Sequence, residues 1–330
     1  MDQPGGDTTE MIDRRLALVV TLALLAVPLI TEAQPAGGLR TIGLLGSSTD
    51  GYRAFKEGLR GVGWIEGTTV RFEGRFSTDY RELSRLATEL VRPPVDVIFA
   101  GNAPSVRAAM NATRTIPIVM VSGDPVSAGF VASLARPGAN VTGLAIMHSE
   151  LSGKRLELLT QALPMARRIA VLANPANPST SAMLRETEAR ARSLGVQVLR
   201  FEATAPDQLA GAVAAAAREG ADALAVLGDP MFNLNSRRLV QAAAQHRLPA
   251  IWEWRAIVEA GGLMAYAPQL EDLQRRAATY VDRILKGAKP GELPVEQAAK
   301  FDLTINLKTA KALGLTIPQL LLLRADHVIE

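Results

Sequence analysis

Residues 95–146 constrain the fold more than any other stretch. Three short apolar runs, Val95–Ala100, Ile116–Val121 and Val141–Ile146, alternate there with helical segments. Apolar runs without polar alternation suit strands covered on both faces, and strands that alternate with helices predict a parallel sheet with right-handed crossovers. Two of the runs end in polar turns, Gly101-Asn102 and Gly123-Asp124, and each turn leads through a proline, Pro104 or Pro125, toward a helix. In open α/β sheets, small ligands bind at such strand ends.

The same grammar extends in both directions. Thr41–Leu45 is a strand ending at Gly46-Ser47-Ser48, and 52–62 is a helix with Phe55, Leu59 and Val62 on one face. Val70, Phe72, Gly74 and Phe76 alternate as in a strand. Asp79 and Glu82 have capping-box spacing for a helix over 80–91. The pattern then restarts. Strands are expected at 168–173, 196–201, 223–227, 249–252 and 262–267, with helices at about 150–162, 178–194, 206–219, 236–246 and 270–286. The fold class is therefore α/β, with two successive doubly wound parallel-sheet lobes of four or five strands each. The tail, 293–330, reads as an extended piece, a helix near 307–313 and a last segment around Leu320–Leu323; pattern alone does not assign it to a lobe.

For strand order 2-1-3-4-5 the switch point lies between the first and third strands. Ser47, Ser48 and Asn102 end those strands, and Asp124 ends the fourth. The matching ends in the second array carry Asn174, Asp229 and Glu253-Trp254. Helix N-termini after the first and third strands favour a carboxylate, and Asp124 or Asp229 suits an ammonium group. A ligand with both charges, such as an amino acid, fits this set. Each of these residues has an ordinary alternative use, since Ser, Asn and Asp also cap helices and shape turns. Of Trp252 and Trp254, one is expected in the core and the other at the cleft. With aromatics only 5% of the chain, Phe130, Phe232, Trp254 and Tyr266 near strand ends are the candidates for stacking on an apolar ligand.

Composition removes several classes. There is no cysteine, and the three histidines, His148, His246 and His327, have no metal-ligand spacing, so no metal site is expected. No Walker A sequence, GxGxxG after a strand or GxSxG elbow occurs, and no histidine falls at a strand end, so no catalytic residue and no cofactor is assigned. The net charge of +3 is spread along the chain without a basic run, which gives no reason to expect nucleic acid.

Arg14-Arg15 precede the apolar run Leu16–Ile30, and Thr31 and Ala33 suit positions −3 and −1 of a cleavage site before Gln34. The run is about 15 residues, short of the roughly 20 a membrane span requires, and contains Pro28. Residues 1–33 are thus expected to be a cleaved signal peptide, starting at Met1 or Met11. The mature protein is expected to be periplasmic and soluble, with no stable membrane anchor.

One long segment carries a specific resemblance. Gly123-Asp124-Pro125-Val126-Ser127-Ala128-Gly129-Phe130 through Arg136-Pro137-Gly138-Ala139-Asn140-Val141-Thr142-Gly143 resembles the signature of ABC-transporter substrate-binding proteins of the tryptophan/tyrosine type. Further matches are Trp252–Arg255, Gly261–Tyr266, Leu293–Gln297 and Asn306–Leu315. The resemblance implies a type I periplasmic-binding fold whose lobes are joined by a three-crossover hinge. It places 40–146 plus about 268–297 in the N-terminal lobe and 147–267 plus about 298–330 in the C-terminal lobe. By position its ligand loops fall on Ser47, Ser48, Asn102, Asp124, Asp229 and Trp254; Asn174 and Tyr266 complete the candidate set. Family members often have glycine after the tyrosine, where this chain has Ala267. The implied function is solute binding without catalysis: the lobes close on a small-molecule ligand and deliver it to an ABC permease with a separate ATPase subunit. A ligand-sensing periplasmic module that presents the bound form to a receptor is the alternative. A LacI-like regulator shares the two-lobe core but would need a DNA-binding headpiece.

Overall fold

The computed structural model describes Met1 and residues 38–330, so the expected signal segment lies outside the described residues. Leu39–Glu330 form one compact unit. The strands, in chain order, are β1 (Arg40–Gly46), β2 (Val70–Phe76), β3 (Val97–Ala100), β4 (Ile118–Ser122), β5 (Val141–Ala145), β6 (Arg168–Ala173), β7 (Gln197–Glu202), β8 (Ala223–Val226), β9 (Ala250–Trp252), β10 (Met264–Pro268), β11 (Glu296–Gln297), β12 (Phe301–Asn306) and β13 (His327–Ile329).

They form two sheets. The first has the order β11-β5-β4-β3-β1-β2 and is parallel throughout. The second has the order β13-β12-β10-β9-β8-β6-β7. Each thus contains the expected 2-1-3-4-5 arrangement, extended at one edge by strands from the tail. The chain passes between the sheets three times, after β5, after β10 and after β11. The two-lobed periplasmic-binding architecture is the one the alternation and the resemblance imply.

The second sheet departs from pure parallel pairing at one place. β12 runs antiparallel to β10, with Met264 opposite Ile305 and Pro268 opposite Phe301. The tail enters this sheet from the first, so it arrives without a βα crossover and has no need to run parallel. Asn306 ends the strand and caps the helix Leu307–Leu313 by accepting from the Thr309 N–H at 3.0 Å.

Covering both faces of each sheet explains the unbroken apolar runs. In the first sheet Ile42, Leu44, Val97, Phe99, Val119, Val121 and Leu144 pack beneath the helices Arg53–Gly61 and Leu270–Leu285. The alternate residues Leu45, Ile98, Ala100, Ile118, Met120 and Val141 pack beneath Tyr80–Leu90 and Ala103–Ala112. Ile169, Val171 and Ala173 face one way in the second sheet and Ala170 and Leu172 the other. Asp79 caps its helix, accepting from the Arg81 N–H at 2.9 Å, but the reciprocal half of the capping box is absent: Glu82 accepts from Arg85, and the Asp79 N–H donates to Ser77 Oγ at 3.1 Å. The helix expected from Pro178 starts later, at Thr180, because Asn177 turns its side chain to the Ser179 N–H and keeps the chain in an Asx turn.

The family-like segment after Asp124 is largely structural. Phe130 is buried in the core under Arg107, so it is not available to a ligand, and Phe232 is likewise a core residue. The Val295 N–H donates to the Leu134 carbonyl at 2.7 Å and the Thr142 hydroxyl to the Leu293 carbonyl at 2.7 Å, which docks the returning tail on this segment. Gly143 lies at φ 134°, and a Cβ there would sit 2.2 Å from the Met120 carbonyl oxygen across the β4–β5 ladder, so only glycine fits.

Candidate functional site

The carboxyl ends of both sheets face a cavity of about 880 Å³. The first sheet contributes Ser47 and Ser48 after β1, Gly101 and Asn102 after β3, Ser122 at the end of β4 and Ile146 after β5. The second contributes Asn177, Asp229, Glu253 and Trp254. His148, which opens the helix His148–Ala162, lines the cavity as well. Tyr52, Leu234, Ile257 and Leu270 add apolar wall. Leu234 is half exposed, an apolar side chain left uncovered beside the cleft.

Five of the eight residues singled out from the sequence, Ser47, Ser48, Asn102, Asp229 and Trp254, meet on this wall; Asp124, Asn174 and Tyr266 do not. The Asn102 Oδ1 caps the helix Ala103–Ala112, accepting from the Ser105 N–H at 3.0 Å and the Ser105 hydroxyl at 2.7 Å. Asn102 itself lines the cavity. Trp252 is fully buried and Trp254 half-buried at the cavity wall; residues two apart would share a strand face, and the division arises because β9 ends at Trp252 and Trp254 already opens the helix Arg255–Glu259.

From its strand end, Asp124 is a candidate partner for a ligand's ammonium group. Instead its carboxylate holds the first turn of the helix His148–Ala162, accepting from the Ser149 N–H at 2.9 Å and the Ser149 hydroxyl at 2.6 Å. This pins the first crossover, where Met147 takes a left-handed φ of 64°. Asp124→Ala is therefore expected to cost about 1–2 kcal/mol of stability through the lost cap, measured by urea unfolding. Asn174 is buried, with its Oδ1 accepting from the Ala176 N–H at 3.1 Å. Tyr266 stacks on Phe301 at 5.8 Å and packs against the cores of both lobes.

Asp229 lines the cavity but has little left to offer a ligand. Oδ1 accepts from the N–H groups of Met231 at 2.9 Å and Phe232 at 3.3 Å. Oδ2 accepts from Asn177 Nδ2 at 2.9 Å and from the Tyr80 hydroxyl. Burial pushes its carboxyl up from the ordinary value, and these hydrogen bonds oppose the rise.

The deeper electrostatic feature is Glu253, which is 3% exposed. Its Oε1 lies 2.7 Å from His148 Nε2, and its Oε2 accepts from Asn233 Nδ2 at 2.8 Å. Burial alone would raise the Glu253 carboxyl, but His148, Arg155 and Asn233 outweigh it and hold the group down to about 2. Arg155 is itself buried; its Nε donates to the Tyr266 carbonyl at 2.8 Å, and its two terminal nitrogens have no protein acceptor. Burial pulls the Arg155 guanidinium down and Glu253 lifts it. Glu253 is thus an ionised carboxylate on the cleft wall, balanced from behind by a buried cation. Sequence reasoning placed it at a strand end but did not select it. It set His148 aside as a catalytic base without weighing it as a wall residue. Tyr80 gave no signal beyond its place at a helix start. Among the described residues no group of three histidine, aspartate or glutamate side chains is arranged to hold a metal ion.

Two parallel-sheet lobes whose strand ends share a cavity lined by helix starts, one ionised carboxylate and a tryptophan define a two-lobed solute-binding protein. The pattern characteristic of the ABC transporter substrate binding protein family matches residues 46–329, and the chain belongs to that family. Its members are binding proteins and not enzymes, and so is this chain. It is 27% identical over 265 residues to a tyrosine-binding protein of Clostridioides difficile (strain R20291), covering 80% of this chain and 76% of that one. It superposes on a domain from Streptococcus pneumonia solved in complex with L-Trp, with a TM-score of 0.83 and 26% identity over 88% of this chain and all of that one. Against the ligand-free, open structure of a substrate-binding protein from Clostridium difficile the TM-score is 0.62, at 25% identity and coverage of 88% and 99%.

Proposed function

We propose that this protein is the exported solute-binding component of an ABC importer, and that its ligand is an amino acid with an aromatic side chain. The observation that carries the reading is the cleft itself, in which Trp254, Leu234, Ile257 and Tyr52 supply apolar wall beside charged and hydrogen-bonding strand ends. The ligand carboxylate faces the Ser47–Ser48 turn and the Asn102 amide. The ammonium group faces Glu253, since Asp124 and Asp229 are engaged elsewhere. The tyrosine and tryptophan relatives support the side-chain class.

In this reading residues 1–33 are a signal peptide removed on export to the periplasm. Residues 40–146 with about 268–297 move as one lobe against 147–267 with about 298–330, hinged at the three crossovers. The closed form docks on a membrane permease powered by a separate ATPase. Calorimetric titration with the twenty amino acids tests the ligand class. One-to-one binding of tyrosine, tryptophan or phenylalanine, at least tenfold tighter than leucine or glutamate, is expected. Saturable binding confined to non-aromatic solutes would overturn it.

A further inference from the structure

The side chain that closes the gap between the lobes lies beside the ligand cavity. Tyr80 opens the helix Tyr80–Leu90, which Leu83, Ala87 and Leu90 anchor on the first sheet. Its hydroxyl reaches the second lobe, donating to Asp229 Oδ2 and accepting from Asn174 Nδ2 at 3.4 Å. Asn177 Nδ2 donates to the same Asp229 oxygen at 2.9 Å. Asp229, Asn174 and Asn177 all stand beyond the carboxyl ends of β6 and β8, so one phenol bridges the two sheets. Tyr80 itself is not among the residues lining the 880 Å³ cavity, although its acceptor Asp229 is, so the bridge meets the ligand's space only on the second-lobe side.

We propose that Tyr80 is a closing latch, whose hydroxyl bonds Asp229 only when the lobes come together and thereby sets how far the unliganded protein is biased toward closure. The inference rests on the reading of this protein as one that closes two lobes on a solute. The chemistry suits the task. Asp229 is nearly fully buried, so in the closed form its Oδ2 takes its hydrogen bonds from protein donors and not from bulk water. Opening removes the phenol and admits water, so the latch is undone at modest cost. Asp229 keeps its two backbone donors in either state because they belong to its own lobe. The latch therefore acts on the equilibrium between open and closed forms without being required for either lobe to fold. Apparent affinity scales with the fraction of protein in the competent form.

The test uses the full mature chain. It has no cysteine, so a label pair can be introduced at the exposed positions Thr88 and Gln241, one on each lobe, for distance measurements in solution. In Tyr80→Phe without ligand, the ratio of open to closed protein is expected to rise up to about tenfold, the effect of losing one buried hydrogen bond. The dissociation rate of the bound amino acid is expected to rise by a similar factor. Asp229→Asn should show the same shift, and Tyr80→Phe added to it should change little more, because both remove one interaction. An unchanged distance distribution in Tyr80→Phe, or full additivity in the double variant, would overturn the latch. The distance measurement needs no ligand, so failure of every amino acid to bind would count against the proposed function and leave the latch to be judged separately.

Discussion

Glu253→Ala is expected to lower the free energy of unfolding by about 3–5 kcal/mol, the usual result of removing one partner from a buried charged pair. Its carboxylate lies 2.7 Å from His148 Nε2 and offsets the charge of Arg155, whose terminal nitrogens have no protein acceptor. The alanine variant leaves both basic groups buried and unpaired. Glu253→Gln keeps the shape and the Asn233 contact but removes the charge, which makes it the better probe of pH. The folded carboxyl sits at about 2, below an unfolded value of about 4.3. Such a depressed carboxyl contributes stability that is fully present above the unfolded value and fades as pH falls toward 2. Two units correspond to about 3 kcal/mol. Urea unfolding at pH 7 should therefore separate wild type from Glu253→Gln, and at pH 3 the gap should narrow by more than half. An equal gap at both pH values would show that Glu253 is not held ionised by its neighbours.

Gly123→Val is expected to weaken ligand binding about 10- to 100-fold while each lobe stays folded. Gly123 follows β4 in the first lobe, and a Cβ there would lie 2.7 Å from Ser179 Oγ and 2.8 Å from His148 Nδ1, both in the second. Its φ is not in the left-handed region, so the obstacle is space and not backbone strain. A valine wedges the lobes apart where they meet, and overpacking of this kind costs about 1–3 kcal/mol. The cost falls on the closed form, so it appears as lost affinity. Gly123→Ala should do the same to a smaller degree. Calorimetry with the tightest-binding amino acid, together with a thermal melt, separates lost closure from lost fold. Wild-type affinity in Gly123→Val would mean the ligand does not need the lobes in contact at Ser179.

Much of this molecule is readable from its sequence, because parallel strands leave a strong local trace. Apolar runs such as Val97–Ala100 and Ile118–Val121 announce strands covered on both faces, and the turns after them mark the cleft end. The division between Trp252 and Trp254 is not set by strand period, since residues two apart share a face; it arises because β9 ends at Trp252 and Trp254 belongs to the turn into the next helix. The reversed direction of β12 is not legible, because it follows from where the chain re-enters the second sheet and not from local pattern. The roles of Asp124 and Asp229 are not legible either. An aspartate at a strand end serves equally as a helix cap or a ligand partner, and only the surroundings decide. For Asp229 the deciding donor, Tyr80, is 149 positions away. His148 and Glu253 are 105 positions apart, and neither alone has a spacing that suggests the pair.

The order in which the first sheet is completed has a further consequence. Its edge strand β11 pairs Glu296 with Leu144 and Gln297 with Ala145. Its covering helix, Leu270–Leu285, is also distant in sequence. During synthesis the first five strands are therefore made long before the helix that shields one face and the strand that blocks one edge. A nascent chain shorter than about 300 residues carries an open edge at β5 and an uncovered apolar face on that sheet, the features that recruit other chains or chaperones. Truncation just before residue 270 should yield a chain that aggregates, although it contains ten of the thirteen strands found among the described residues.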